Sequence, residues 1–183
     1  MGPGNQGRVS PWVWRAVAGI EAGTLGGLAM FSWLAASSLL DRDPGWEVPN
    51  LLGSWLRGRP VLDDSFGWAT VSGLSLHIFV SGVIGMLFGL VTGDSRNRFR
   101  VTLLGLVTGL VWYYFSQVLF WRKLEILSML HSPARSMLLG CLLFGLALGR
   151  LPAGVRRLRR NFLAEAAASA ETTETAAAPD AVE

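Results

Sequence analysis

Charge is scarce in this 183-residue sequence, at 16% of residues, and so are the side chains that usually carry chemistry: one cysteine, two histidines and two tyrosines. A single cysteine, Cys141, excludes any internal disulfide. Zinc wants three or four nitrogen or sulfur ligands close together, and two histidines with one cysteine do not supply them convincingly. No phosphate-cradling loop is present, because the glycine-rich runs lie inside apolar stretches rather than between a strand and a helix. No serine, histidine and acid arrangement can be drawn without groups far apart in the chain. The expectation is therefore a protein with no catalytic residue, no metal and no resident cofactor.

What the chain has instead is apolar surface. Hydrophobic residues make up 51% of it, more than an ordinary soluble domain of this length can bury. A bilayer's hydrocarbon core, about 30 Å thick, needs about 20 mostly apolar residues per spanning helix. Four stretches meet that length or approach it: 14–40, 67–91, 101–121 and 134–151. The expected fold is all-α and polytopic, with an N-terminal segment over 1–13 and a basic juxtamembrane segment leading into a disordered acidic, Ala-rich tail over 152–183. Helix is expected in that tail only at its start, around Phe162 to Ala170. Arg8 and Arg15 precede the first span as they would a signal peptide, but its apolar run is too long for a signal core and contains Glu21, so it is expected to remain as a span.

Orientation follows the lysines and arginines of the flanks. With four spans, the N-terminus, the middle loop and the C-terminus share a side. They carry Arg8, Arg15, Arg96, Arg98, Arg100, Arg150, Arg156, Arg157, Arg159 and Arg160, against Arg42, Arg57, Arg59, Arg122, Lys123 and Arg135 opposite. Both termini are expected in the cytoplasm. The run Arg156, Arg157, Arg159 and Arg160 is expected to meet anionic lipid headgroups, each worth about 1 kcal/mol near the surface; nucleic acid is not expected as a partner.

A short phrase occurs twice, MLFGLVTG at Met86–Gly93 and LLFGLALG at Leu142–Gly149, fifty-six residues apart. Gly19 and Gly23 recur in the same way as Gly105 and Gly109. Duplication of a helix–loop–helix unit would explain both. Glycines four apart share one helix face, so the first span carries Gly19, Gly23 and Gly27, the second Gly85, Gly89 and Gly93, the third Gly105 and Gly109, and the fourth Cys141, Gly145 and Gly149. In lipid, burying leucine brings no net gain, and helices associate where small residues let backbones approach. These strips are expected to pack helix on helix, within the chain or against other membrane subunits or a second copy. In the loops, Leu51, Leu52, Trp55 and Leu56 form an apolar face opposite Asn50, Ser54 and Arg57, predicting a short interfacial helix. A second is expected over Leu124 to Leu130, with Ser132 and Pro133 starting the fourth span. Trp12, Trp14, Trp68 and Trp121 are expected as interfacial anchors.

Ionisable groups at membrane depth are functional candidates by default. Glu21 is expected to pair with an arginine near the surface, with Thr24 on its face; His77 is expected to hydrogen-bond Tyr113, Tyr114, Ser116 or Gln117 of the third span. A bis-histidine haem b would need His131, but the two histidines differ in depth by about 10 Å on the helical rise. Glu21 and His77 as polar steps would define a small-solute or proton carrier working as an oligomer. His77 with haem or quinone would define an electron-transfer subunit.

The segments GWEVPNLLGSW (Gly45–Trp55) and FGWATVSGLSLHIFVSGVIGMLFGLV (Phe66–Val91) resemble small uncharacterised bacterial four-helix integral membrane proteins, which share a glycine-rich first span, a Trp/Pro outer loop and a second span with a histidine followed by glycines. The resemblance implies a bacterial inner-membrane setting and transfers no activity. Together these features predict a non-enzymatic accessory or structural subunit of a larger membrane assembly.

Overall fold

The computed structural model describes residues 10–40, 46–56, 65–93, 95, 97–118 and 134–177. They form six helices: α1 (Pro11–Leu40), α2 (Glu47–Leu56), α3 (Trp68–Thr92), α4 (Arg98–Ser116), α5 (Ala134–Leu148) and α6 (Leu151–Ala177). Among the described residues, four helices are long and apolar enough to cross a membrane, the fourth running from Arg135 to Ser169 through the α5–α6 turn. Helix covers 14–40, 68–91, 101–116 and 134–148 of the expected stretches, and 119–121 lie outside the described residues. α4 begins three residues before the expected span because Asn97 caps it, its Oδ1 accepting from the N–H groups of Phe99 at 3.0 Å and Arg100 at 3.3 Å. Such a cap satisfies amides that the first turn leaves without a helical partner.

The spans pack as a row. α1 lies against both α3 and α5, and α4 lies against α5 on the far side, whereas α3 and α4 share almost no contact despite their short connection. α1 can stand between two neighbours because it has two smooth faces. Gly19, Gly23 and Gly27 face α3, where a methyl at Gly19 would strike the Gly85 carbonyl and one at Gly23 the Ser81 carbonyl. Ala18, Ala22 and Gly26, one residue earlier in each turn, are also buried; Gly26 lies under Phe144 of α5, whose ring would stand 2.8 Å from an added methyl. The Trp33 indole N–H then donates to the Ser136 carbonyl at 3.0 Å, fastening the other ends of α1 and α5. Phe144, Leu148, Met30, Ala18, Ala22 and Val101 belong to one buried cluster along this seam.

Both hairpins, α1/α3 and α4/α5, are built on glycine backbones in contact, but not in the register of the repeated phrase. Gly105 meets the Gly145 carbonyl as Gly19 meets that of Gly85, and Gly109 meets the Cys141 carbonyl as Gly23 meets that of Ser81. Contact equivalents on α3 and α5 are therefore sixty residues apart, where the phrase repeats at fifty-six. The slip is one helical turn, about 6 Å. Gly93 departs from its expected role: a methyl there would touch nothing within 4 Å, and its φ of 65° turns the chain out of α3. That backbone region is open to glycine at no steric cost.

α5 ends in a tight turn, with the Gly149 and Arg150 amides bonded three residues back to Leu146 and Ala147 at 3.1 and 3.0 Å. Pro152 offers no amide to continue the ladder. α6 then runs alongside α1, antiparallel to it, and continues to Ala177 as helix where the sequence predicts disorder. Alanine, the strongest helix former, dominates its second half.

Candidate functional site

Glu21 of α1 has its partner on α6. Arg157 forms an ion pair with its carboxylate, one turn beyond the place where Gly154 comes within 3.4 Å of the Ala18 Cβ for an added methyl. Trp14 and Phe162 close the same seam with an edge-to-face contact at 5.2 Å. The expected arginine partner is thus found. Thr24 is not part of the pair; it faces α3, its hydroxyl 3.5 Å from where a methyl on Gly82 would stand.

His77 is placed differently from expectation. Its Nε2 lies 3.1 Å from the Gly27 carbonyl of α1, and since a carbonyl only accepts, Nε2 carries the proton and donates. Tyr113, Tyr114, Ser116 and Gln117 are not its partners, because α3 packs on α1 while α4 packs on α5. Ser116 bonds the Tyr113 carbonyl at 2.8 Å, Gln117 donates to the Met137 sulfur at 3.6 Å, and Tyr113 meets Tyr114 edge-to-face at 5.6 Å. The polar residues of these helices therefore form separate local contacts rather than one constellation. An iron ligated by His77 through Nε2 would have to displace the Gly27 contact; His131 and Trp121 lie outside the described residues. Among the described residues no three histidine, cysteine or acidic side chains come together as a metal site.

The most closed polar cluster lies where sequence reasoning put a solvent face. Asn50 and Ser54 of α2 are buried against α3, and Thr70 is buried opposite them. The Thr70 hydroxyl donates to Asn50 Oδ1, Asn50 Nδ2 donates to the Ser65 carbonyl at 3.0 Å, and the Gly67 amide donates back to Thr70 Oγ1 at 3.0 Å. Leu51, from the expected apolar face, is buried with them, and Leu56 is exposed. The burial of these polar groups has a steric cause: a methyl at Gly53 would strike the Ala69 carbonyl and one at Gly73 the Pro49 carbonyl, so α2 seats its smallest face on α3 and the polar groups beside that face must pair. The legible signal was the pair Gly53 and Gly73, neither of which falls in the glycine strips of the spans. The expected helix over Leu124 to Leu130 and the Ser132–Pro133 start lie outside the described residues.

At the end of the bundle where α1 begins, Arg98 and Arg100 of α4, Arg150 of the α5–α6 turn, and Arg156, Arg157, Arg159 and Arg160 of α6 are all exposed. Of these, only Arg157 has a side-chain ion pair or hydrogen bond among the described residues.

The architecture is that of an all-helical chain with four helices able to cross a bilayer, compatible with a multi-pass membrane protein. No protein-family model matches the sequence, and no curated protein or solved structure is significantly similar to it.

Proposed function

We propose that this chain is a non-enzymatic integral membrane protein acting as an accessory or structural subunit of a larger membrane assembly. The observation that carries this is the open end of the row. Among the described residues α4 packs on α5 and, at its start, on α6, and its other side holds a groove of about 580 Å³ lined by Val107, Leu110, Val111, Tyr114, Phe115 and Val118. The glycine strips are already occupied inside the chain, so a neighbouring subunit would meet this bulky face rather than a smooth one. The asymmetry of lysine and arginine supports cytoplasmic termini, and the resemblance supports a bacterial inner membrane. Glycine contacts in both hairpins support descent from a duplicated hairpin, the second having slipped by one turn. The carrier reading draws less support, since Glu21 is engaged by Arg157 and His77 by Gly27.

A photo-crosslinking residue at Val111, compared with one at exposed Phe79 on α3, tests the proposal in native membranes. One dominant adduct with a membrane protein or a second copy is expected from position 111 and not from 79. Adducts with lipid alone at both positions would overturn it.

A further inference from the structure

The sequence draws attention to the run at Arg156–Arg160, but the packing brings a different set of arginines to the same end of the bundle. Val101 is fully buried in the same cluster as Leu148 and Leu151, and Thr102 lies against Gly149, its Oγ1 2.6 Å from an added methyl. The first turn of α4 is thereby locked onto the α5–α6 turn. Arg98 and Arg100 stand within one turn of Thr102, about 6 Å along the axis, and Arg150 is the residue after Gly149. All three are exposed, and their side chains form no ion pair or hydrogen bond with any described residue. The amino end of α4 adds the partial positive charge of its aligned peptides. Nearby acids offer no relief among the described residues: Glu21 is held by Arg157, and Glu165 stands about 22 Å further along α6 at the helical rise. Directly along α4 from these arginines the surface becomes apolar, with Phe99, Leu103, Leu104 and Val107 all exposed.

A ligand suited to this corner is anionic at one end and hydrocarbon at the other. Three guanidinium groups present more donors than one phosphate monoanion can satisfy, since each fork can grip a phosphate in bidentate fashion. We propose that the α4–α5–α6 corner binds a phospholipid bearing two phosphates, its headgroup held by Arg98, Arg100 and Arg150 and its acyl chains lying along Leu103, Leu104 and Val107. Basic recesses between helices at the cytoplasmic surface are suited to such headgroups. The site rests on the membrane-spanning reading and makes the α6 arginines a diffuse attraction rather than the specific contact.

Full-length protein in mild detergent, studied by native mass spectrometry, tests this with diphosphatidylglycerol, with phosphatidylglycerol at matched charge and with soluble pyrophosphate. One diphosphatidylglycerol per chain is expected to be retained, in preference to both other probes. R98Q/R100Q/R150Q is expected to weaken retention about 100-fold, from about 1 kcal/mol per arginine. R159Q/R160Q is expected to change it less than about threefold. Equal losses in the two variants, equal retention of phosphatidylglycerol, or pyrophosphate binding as tightly as the lipid would each overturn the site. Should the glutamine variant lose helical circular dichroism, R98K/R100K/R150K decides: retention reduced relative to the parent supports forked recognition, and unchanged retention overturns it. Alkaline extraction separates the two levels, because a chain that stays in the membrane while lipid selectivity fails loses only this site, and one washed out loses the membrane-spanning reading as well.

Discussion

The two hairpins are alike where they close and unlike where they face outward. In α1/α3 and in α4/α5, glycines on one helix touch carbonyls on the other at equivalent points. α1 carries a further smooth face, Ala18, Ala22 and Gly26, and uses it to receive α5 at Gly26 and α6 at Ala18. Counting forward by the same eighty-six residues that relate Gly19 to Gly105, the corresponding α4 positions are Leu104, Thr108 and Trp112. No small-residue face stands there: Leu104 is exposed and Trp112 packs against the buried cluster. The number of smooth faces on a helix thus sets how many helices it can accept at close range, because in lipid the attraction lies in contact and dispersion rather than in burial from water.

The largest test breaks the closure of one hairpin while sparing the other. At Gly85 any side chain would meet the Gly19 carbonyl and the Gly23 Cα, backbone on backbone, so nothing can rotate aside. Gly85→Leu is expected to cost about 3 kcal/mol, the upper part of the usual overpacking range, and to separate α1 from α3. Gly145→Leu should do the same to α4 and α5. Thermal unfolding in detergent measures the loss, and disulfide crosslinking of introduced cysteine pairs across each seam shows which hairpin opened. Loss of both seams in either variant would mean that the hairpins are not independent units.

A smaller effect is expected at the seam between hairpins. Gly26 faces the Phe144 ring edge, a side chain that can shift, although the Phe144 carbonyl stands only 3.1 Å from an added methyl. Gly26→Ala is expected to cost about 1 kcal/mol, the low end for overpacking, and to lower crosslinking between α1 and α5 while α1/α3 crosslinking is unchanged. An equal fall across both seams would count against two separate faces on α1.

The spans were legible because the thickness of the bilayer fixes their length, and the glycine strips because period and residue size can be read directly. The order of packing was not. Adjacency in the chain favours α3 beside α4, and only the second smooth face of α1 indicates that α5 takes that place instead; its alanines look ordinary in an apolar span. Helical spacing sets Asn50 and Ser54 opposite the apolar face of α2, but spacing identifies a face without saying which neighbour covers it. Partner choice for His77 failed for the same reason. Depth along the helix could be estimated, whereas the identity of the neighbouring helix could not.

His77 sharpens the comparison between the hairpins, since α1/α3 adds a hydrogen bond from an imidazole to a backbone carbonyl, where α4/α5 has, among the described residues, the weaker Gln117 contact with the Met137 sulfur. His77→Leu removes the donor to the Gly27 carbonyl and is expected to destabilise by about 0.6 kcal/mol, the average for interhelical hydrogen bonds in a membrane. Unfolding midpoints of the single variant and of a double variant with Gly85→Leu test it. A small loss in the first and none beyond Gly85→Leu in the second would place the bond downstream of the glycine seam. A loss of several kcal/mol would make the histidine, not the glycines, the organiser of the hairpin.

The smallest expected effect concerns Glu21 and Arg157. Glu21 is 34% exposed and Arg157 53%, so solvent screens the pair, and exposed ion pairs typically contribute between about 0 and 1 kcal/mol. Glu21→Gln should therefore leave the unfolding midpoint of the bundle nearly unchanged. The α6 seam has two further contacts, Gly154 with Ala18 and Phe162 with Trp14, and neither depends on charge. What the substitution should change is the dependence of α6 docking on salt: a spin label at Arg160 is expected to become more mobile as salt is added to the parent protein and to be insensitive to salt in the variant. Both hairpins would remain closed, because no glycine contact passes through Glu21. A label equally salt-sensitive in both proteins would show that the ion pair does not hold α6, and a large drop in midpoint would show that α1 needs α6 to stay between α3 and α5.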